Sequence, residues 1–189
     1  MRRRTFDIIL TAVGAVLAAG LLIAGGLLTW GYNFANDTVH DQLAAQQIFF
    51  PAKGSDALKS GEIGPYLNKY AGQQLTTGAQ AEAYADHFIA IHLKEMAGGK
   101  TYAQVSTEAQ ANPDDTKLAA TVQTLFRGET LRGMLLNAYA FWKFGQIALF
   151  SAIASFAGAL ALLVLTIFGY RHARKVSPET DVFEKPATA

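Results

Sequence analysis

Two long segments of the chain contain no charged residue. The first runs from Ile8 to Trp30 and the second from Phe144 to Tyr170. Each exceeds the roughly 20 apolar residues that a helix needs to cross about 30 Å of hydrocarbon. Because backbone amides find no water partner in lipid, such a segment must satisfy its own hydrogen bonds as a helix. The pattern therefore predicts two transmembrane helices, residues 8–30 and 144–170.

Both helices are predicted to continue beyond the membrane. Small and apolar residues recur every three or four positions, the spacing of one helix face. The first series passes through the span to Val39, and the second begins at Leu131, well before its span. Pro51 is expected to end this first helical segment, because the residue before a proline is pushed out of helical geometry.

The segment between the spans, residues 31–143, is predicted to form a helical domain. Thr77 with Gln80 and Thr101 with Gln104 are capping-box patterns that each begin a helix. The first of these helices is expected to reach Met96, where two glycines follow, and the second to stop before Pro113. Residues 112–115 combine a cap, a first-turn proline and two acids, which predicts a further helix start at Asn112.

Two shorter features complete this domain. Residues 65–70 are expected to form a short helix, and Gly128 is placed to end or kink the last helix. No alternating strand pattern and no internal repeat is present. The fold class predicted is an all-α membrane protein, with two transmembrane helices extended into an extracytoplasmic helical domain.

Basic residues concentrate at the two ends of the chain. Arg2, Arg3 and Arg4 precede the first span, and Arg171, Arg174 and Lys175 follow the second. Basic residues favour the cytoplasmic side, so both ends (residues 1–7 and 171–189) are predicted to be cytoplasmic in a bacterial plasma membrane. The alternative for the first span is a cleaved signal peptide, although its 23 apolar residues exceed the usual length. The tail from Val176 onward is expected to be disordered.

Aromatic and basic residues mark the predicted membrane boundaries. Trp and Tyr are enriched where the membrane meets water. The interface anchors predicted on this basis are Trp30, Tyr32, Trp142, Tyr170, Arg171, Arg174 and Lys175.

A line of small residues on the second span forms a possible packing seam. In lipid, helices associate through close backbone approach along small residues. The seam comprises Gly145, Ala148, Ala152, Ser155, Ala159, Thr166 and Gly169, and the first span offers Gly14, Ala18 and Gly25. Either these two spans pack on each other, or one seam docks a partner or a second copy of the chain.

Composition excludes several kinds of chemistry. The net charge is +1 and no basic groove is evident, which argues against nucleic acid as a partner. The chain contains no cysteine, so disulfides, thiolate metal sites and cysteine nucleophiles are excluded. We expect no cofactor and no catalytic residue.

Three residues form a weak candidate metal site. His92 and Glu95 lie three apart and could share a helix face, whereas His87 lies five residues before His92 and fits such a face poorly. No HExxH pattern is present. A solvated or interfacial helix surface is therefore the preferred interpretation, and we expect no metal.

Three stretches carry a resemblance to a known family. They are QQIFFP (residues 46–51), KYAGQQLTTGAQAEAYADHFIAIHL (residues 69–93) and LRGMLLNAYAFWKFGQIA (residues 131–148). In these the chain resembles a family of uncharacterised two-span membrane proteins from actinobacteria. Some members carry an aromatic ring-opening dioxygenase label, but this sequence lacks an iron-ligand set. The resemblance implies no functional residues.

Four functions are compatible with this architecture. The first is a non-catalytic accessory or assembly subunit of a cell-envelope or respiratory membrane complex, docked through its seams and its exported domain. Its partners would be the lipid bilayer and other membrane proteins or copies of itself. The alternatives are a homo-oligomeric channel or scaffold, a ligand-sensing receptor with a separate output partner and, least favoured, a membrane-tethered enzyme.

Overall fold

The described part of the chain is helical. The computed structural model describes residues 2–177 and residue 182. Within them no strand is formed, and an isolated antiparallel bridge joins Phe49 and Gln74, so the all-α prediction is confirmed. The chain divides into two compact units, one of Met1–Tyr32 with Gln146–Ala189 and the other of Asn33–Gly145. The tail beyond residue 177, predicted to be disordered, lies outside the described residues apart from residue 182.

Two long helices carry the apolar segments. Helix α1 spans Arg3–Ala45 and helix α7 spans Thr116–Lys175. Their most apolar 18-residue windows have mean hydropathies of 2.5 and 2.4, and only 11% of each window is buried. The core helix of a water-soluble protein would hide most of such a window. Both helices are long and apolar enough to cross a membrane.

Both predicted extensions are present as continuous helix. Helix α1 runs past Val39 to Ala45, and helix α7 begins before Leu131, at Thr116. Of the two outcomes predicted for Gly128, an end or a kink, the helix end is wrong, because α7 continues through this residue. A Cβ at position 128 would lie 2.5 Å from Cδ2 of Leu93, so the glycine permits a close helix contact.

Helix α1 ends before Pro51, and side-chain capping explains where. The amide of Gln74 donates a hydrogen bond of 2.8 Å to the carbonyl of Ala44 in the last turn. Gln47 then adopts a positive φ of 52°, which turns the chain out of the helix. The proline therefore follows the helix end and does not cause it.

Short helices fill the middle of the chain. Helix α2 spans Asp56–Lys59, and helix α3 spans Gly64–Leu67 and continues as the 3-10 turn Asn68–Tyr70. Helix α3 and the 3-10 turn together confirm the short helix predicted for residues 65–70. The α2 turn was not predicted.

Both predicted capping boxes are formed. Thr77 and Gln80 begin helix α4, Gly78–Tyr84, and Thr101 and Gln104 begin helix α6, Tyr102–Ala111. Helix α4 continues through the π-helical segment Ala85–Ile89 into helix α5, Ala90–Met96. Gly98 and Gly99 follow with φ values of 59° and 81°, as expected of residues that end a helix.

The start predicted at Asn112 is wrong by a few residues. Its side chain donates a hydrogen bond to the carbonyl of Glu108 and thus belongs to the end of α6. Asp115 caps α7 instead, because its carboxylate accepts hydrogen bonds from the amides of Lys117 and Leu118.

One hydrophobic core organises the unit Asn33–Gly145. Helices α1 and α7 both contribute to it, and so do the short helices between them. Leu67, Leu75 and Leu125 are the largest fully buried side chains. The other buried members of the core are Val39, Leu43, Phe50, Leu58, Ile63, Ala81, Ala83, Ala85, Ile89, Leu93, Ala97, Val105 and Leu135.

Replacing Gly78 by alanine should destabilise this unit. A Cβ there would lie 2.4 Å from Cβ and Cγ of Trp142, atoms too close to the backbone to move freely. Overpacking of this kind costs about 1–3 kcal/mol, which outweighs the helix preference of alanine. Thermal unfolding of the full chain in detergent, followed by near-ultraviolet circular dichroism, measures the effect.

The matched control for this variant is Gly133→Ala. Gly133 is exposed on α7, and a Cβ added there would have no other atom within 4 Å. This substitution should raise stability by up to about 1 kcal/mol. Equal melting temperatures for the two variants would contradict the packing of α4 on α7.

Candidate partner-binding groove

An open groove lies between α1 and α7 in the unit Asn33–Gly145. Its volume is about 480 Å³, within the range of binding sites for small molecules or apolar side chains. None of the lining residues is ionisable. They are Thr38, Val39, Gln42, Leu43, Gln46, Ile48, Leu131, Met134, Leu135, Asn137, Ala138 and Phe141. We call this feature the α1–α7 groove.

The floor of the α1–α7 groove belongs to the core, whereas its rim is accessible. Val39, Leu43 and Leu135 are each at least 95% buried and form the floor. Met134 on the rim is 66% exposed. Phe141 packs edge-on against Phe34, with ring centroids 6.2 Å apart. A fixed floor with an exposed apolar rim is typical of a surface that a partner covers.

Polar groups follow one wall of the groove. Thr38 and Gln42 lie four residues apart and so share one face of α1, and Gln46 follows in the turn directly after the helix. Asn137 is the polar residue on the α7 side. Amides and a hydroxyl both donate and accept hydrogen bonds, so this wall suits an uncharged polar stripe on an otherwise apolar occupant.

The segment after α1 is held in place by main-chain hydrogen bonds. The amide of Leu75 donates to the carbonyl of Ile48 at 2.8 Å, and that of Phe50 donates to Gln73 at 2.9 Å. Ile48, at the end of the groove, is thereby fixed to the chain that leads into α4. The groove is consequently a feature of the folded core and not of a loose loop.

An ion pair holds the π-helical segment against α7, away from the groove lining. Arg132 donates a hydrogen bond of 2.9 Å to the Asp86 carboxylate and a longer one of 3.4 Å to Glu129. The Asp86 hydrogen bond raises the pKa of the Arg132 guanidinium above its ordinary value. Nε of Arg132 is buried and has no partner. The two side chains are each about one-third exposed, so solvent screens their attraction. The ion pair therefore adds little to the free energy of unfolding and mainly sets the orientation of α4 and α5.

The predicted seam residues of the two spans contact one another within the chain. A Cβ on Gly14 would lie 2.9 Å from Oγ1 of Thr166, and one on Gly169 would lie 2.8 Å from Oγ1 of Thr11. Gly25 meets the ring of Phe156, a bulky residue outside the predicted seam.

Burial agrees with these contacts. Ala18, Ala152 and Ala159 are at least 99% buried. Ala148 and Ser155 are partly buried, whereas Gly145 belongs to the other unit. Small residues of both helices thus face each other along much of their apolar segments.

The weak metal candidates lie in separate environments. The ring of His87 stacks on Tyr66, with centroids 3.5 Å apart. His92 is hydrogen-bonded to the carbonyl of Phe88 at 2.7 Å, and Glu95 is exposed. Among residues 2–177 and 182, no group of three or more His, Asp or Glu side chains could hold a metal ion.

The predicted interface anchors differ in their surroundings. Trp30 is 67% exposed, and the guanidinium of Arg174 lies 4.6 Å from the ring centre of Tyr170. Tyr32 is partly buried, and Arg171 and Lys175 are exposed. Trp142 packs on Gly78 beside the core, and this contact accounts for its position.

Two features were not predicted from the sequence. One is the α1–α7 groove, because the sequence pattern of its residues is that of ordinary helix faces. A signal was nevertheless present in the uncharged stretch from Gly133 to Phe141, which exposes Met134 outside the predicted span. The other is the proximity of Asp7 to His172, with Oδ2 and Nε2 3.9 Å apart. Asp7 immediately precedes the first uncharged segment. The charge pattern therefore assigns Asp7 to the cytoplasmic end but does not indicate that it lies close to His172.

The chain was compared with protein-family models, with curated proteins and with solved structures, and none of these comparisons found a match. The resemblance to the actinobacterial two-span family therefore stays an expectation from sequence.

Paired cysteines should cross-link the two apolar segments within one chain. The variant Gly14→Cys with Thr166→Cys places two thiols at a contact where the Cβ of position 14 lies 2.9 Å from a Thr166 side-chain atom. Because the chain has no cysteine of its own, any disulfide formed on oxidation of membranes belongs to this pair. We expect a cross-linked monomer on non-reducing gels.

The control pairs Gly20→Cys with Thr166→Cys, because position 20 has nothing within 4 Å of its Cβ. It should not cross-link within the chain. A disulfide-linked dimer from the first pair would contradict the seam as an internal contact.

Proposed function

We propose that this protein is a non-catalytic accessory subunit of a bacterial plasma-membrane complex, and that it binds a helix of a partner membrane protein in the α1–α7 groove. Both ends would be cytoplasmic and residues 31–143 extracytoplasmic. The observation that carries the proposal is an open groove without charge between two helices that are also the predicted spans.

Exposure of the apolar windows supports the membrane location. Nearly nine-tenths of each window lies on the surface of the chain, which water would strongly disfavour. Lipid tails remove this penalty. The arginines that precede the apolar segment of α1 and the basic residues at the end of α7 support the orientation.

The chemistry of the groove supports a helix as its occupant. An amphipathic helix fits an apolar groove through residues three and four apart, and its polar edge could meet the Thr38–Gln42–Gln46 wall. The lining contains no carboxylate or ammonium, so a charged partner segment would lose its hydration without compensation. The occupant is therefore expected to be apolar with Ser, Thr, Asn or Gln along one edge.

The packing of the seam supports docking through the groove. Gly14 and Gly169 are engaged by threonines of the same chain, so close approach of another backbone there would require the pair to separate. The α1–α7 groove offers a partner surface without such a rearrangement. We therefore expect the partner to bind at the exported domain and not at the seam.

A ligand-sensing receptor is the second candidate, and the size of the groove favours it. About 480 Å³ would hold a small apolar molecule, with Gln42, Gln46 and Asn137 available for hydrogen bonds. Such a ligand would be uncharged. We expect such a receptor to signal through a separate output protein.

Impermeant thiol labelling tests the membrane arrangement. Lys53→Cys should react with a membrane-impermeant maleimide in intact spheroplasts, whereas Ser177→Cys should react only after permeabilisation. Both positions are exposed, so folding does not hide either thiol. Labelling of position 177 in intact spheroplasts, or a mature mass that lacks the first 30 residues, would overturn the arrangement.

A photo-cross-linking residue at Met134 should capture a protein partner in native membranes. The matched position is Phe126, which is also apolar, exposed and on α7, but contacts Tyr102 and lies outside the groove lining. We expect a discrete adduct from position 134 that is at least about tenfold stronger than from position 126. Identification by mass spectrometry names the partner.

Filling the groove provides the second arm of this experiment. Ala138→Trp introduces a bulky ring at the groove wall and should abolish the adduct while the protein remains in the membrane fraction. Equal adducts from positions 134 and 126 would contradict docking in the groove. A small-molecule adduct at position 134 without any protein adduct would support the receptor instead.

A further inference from the structure

A second cavity lies within the unit that contains the two apolar segments. It has a volume of about 410 Å³ and runs between α1 and α7. Its ionisable side chains, Asp7 and His172, belong to one end of the cavity, and Leu17 and Leu162 to the other. We call this feature the Asp7 cavity.

The carboxylate of Asp7 lacks a hydrogen-bond donor. Its Oδ2 atom is buried and has no hydrogen-bond partner among the described residues, and the whole side chain is only 16% exposed. Nε2 of His172 is 3.9 Å away, which is too far for a hydrogen bond. The nearby hydroxyl of Thr11 is already donated to the main-chain carbonyl of Asp7. Oδ2 is therefore a negatively charged hydrogen-bond acceptor that lacks a donor.

A second polar atom in the cavity is also without a partner. Oγ1 of Thr166 is buried and makes no hydrogen bond. Below it the cavity is apolar, and Leu10, Val13 and Leu17 are each at least half exposed along one side. The cavity thus combines a polar head region with an apolar slot that opens to the surroundings of the helices.

The length of the slot matches one leaflet of a bilayer. Asp7 and Leu17 are ten residues apart, as are Leu162 and His172, and ten helical residues rise about 15 Å. Half of a hydrocarbon core about 30 Å thick is also about 15 Å. A partner transmembrane helix would need a groove of twice this length.

We propose that the Asp7 cavity binds an aminophospholipid of the inner leaflet. The lipid ammonium would donate a hydrogen bond to Oδ2 of Asp7, and one acyl chain would occupy the slot beside Val13 and Leu17. The phosphate would be accommodated by basic residues at the same helix ends, among them Arg171 and Arg174. This inference rests on the membrane location in the proposed function, but not on the α1–α7 groove or its partner.

Charge and hydrogen bonding select the headgroup. A carboxylate with an unmet acceptor prefers a primary ammonium, which carries N–H donors. A choline headgroup carries the same charge without a donor, and a glycerol headgroup leaves the phosphate charge unbalanced beside Asp7. Phosphatidylethanolamine is accordingly the expected ligand among these three lipids.

Native mass spectrometry with lipid titration tests the headgroup. The full-length protein in detergent is titrated separately with phosphatidylethanolamine, phosphatidylcholine and phosphatidylglycerol of identical acyl chains. We expect the first lipid to bind about tenfold more tightly than the other two, as one charge-assisted hydrogen bond would give. Asp7→Asn should remove this preference. Asp37→Asn, on an exposed acid of the same helix, should retain it.

A second pair of variants tests the slot independently of charge. Val13→Trp would fill the slot, whereas Val16→Trp lies three residues away on α1 and outside the cavity lining. Only Val13→Trp should abolish retention of phosphatidylethanolamine. On size-exclusion chromatography both variants should elute at the same volume as the wild-type protein, as expected if both are folded.

The outcomes separate this inference from the proposed membrane location. Recovery of the wild-type protein in the aqueous fraction of lysed cells would overturn both. A membrane-embedded protein without an ethanolamine preference, or with the same preference in Asp7→Asn, would overturn the lipid site alone. A lost preference in Asp7→Asn together with lost retention in Val13→Trp would establish it.

Discussion

Close approach of two helix backbones is the contact on which the apolar unit depends. In the membrane location proposed above, no hydrophobic drive acts between helices, so the pair would be held by van der Waals contact at small residues. Gly14 against Thr166 and Gly169 against Thr11 provide it, and Ala18 and Ala159 are fully buried between them. A larger side chain at either glycine would have to displace a threonine.

The same two helices give the second unit its walls. Each continues without interruption from the apolar segment into the unit Asn33–Gly145, where Val39 and Leu135 enter the core. The short helices between them complete that core, and the Asp86–Arg132 pair orients the π-helical segment. The α1–α7 groove is what this arrangement leaves uncovered.

Local signals explain why the helices could be predicted from the sequence. Capping boxes at Thr77 and Thr101 act through hydrogen bonds within four residues, so their effect does not depend on the rest of the fold. The start of α7 was misplaced because Asn112 and Asp115 are both good caps, and Asn112 serves the preceding helix end. The π-helical segment had no local signal.

The candidate sites could not be predicted in the same way. A groove is defined by which faces of two distant helices remain uncovered. The uncharged stretch from Gly133 to Phe141 indicates an apolar surface, but not that this surface borders a groove. The unmet acceptor of Asp7 likewise depends on a distance to α7. In contrast, the packing of Gly14 and Gly169 follows a regular spacing of small residues, and the sequence pattern included both.

The contribution of α1 and α7 to a single core has a consequence for biogenesis. Val39 is synthesised long before Leu135, yet the two belong to the same core cluster. Until α7 emerges, the apolar face of the α1 extension has no partner from its own chain. The nascent protein must therefore shelter that face in another way while most of the intervening sequence is translated. Truncation before α7 would leave it permanently exposed and mark the product for proteolysis.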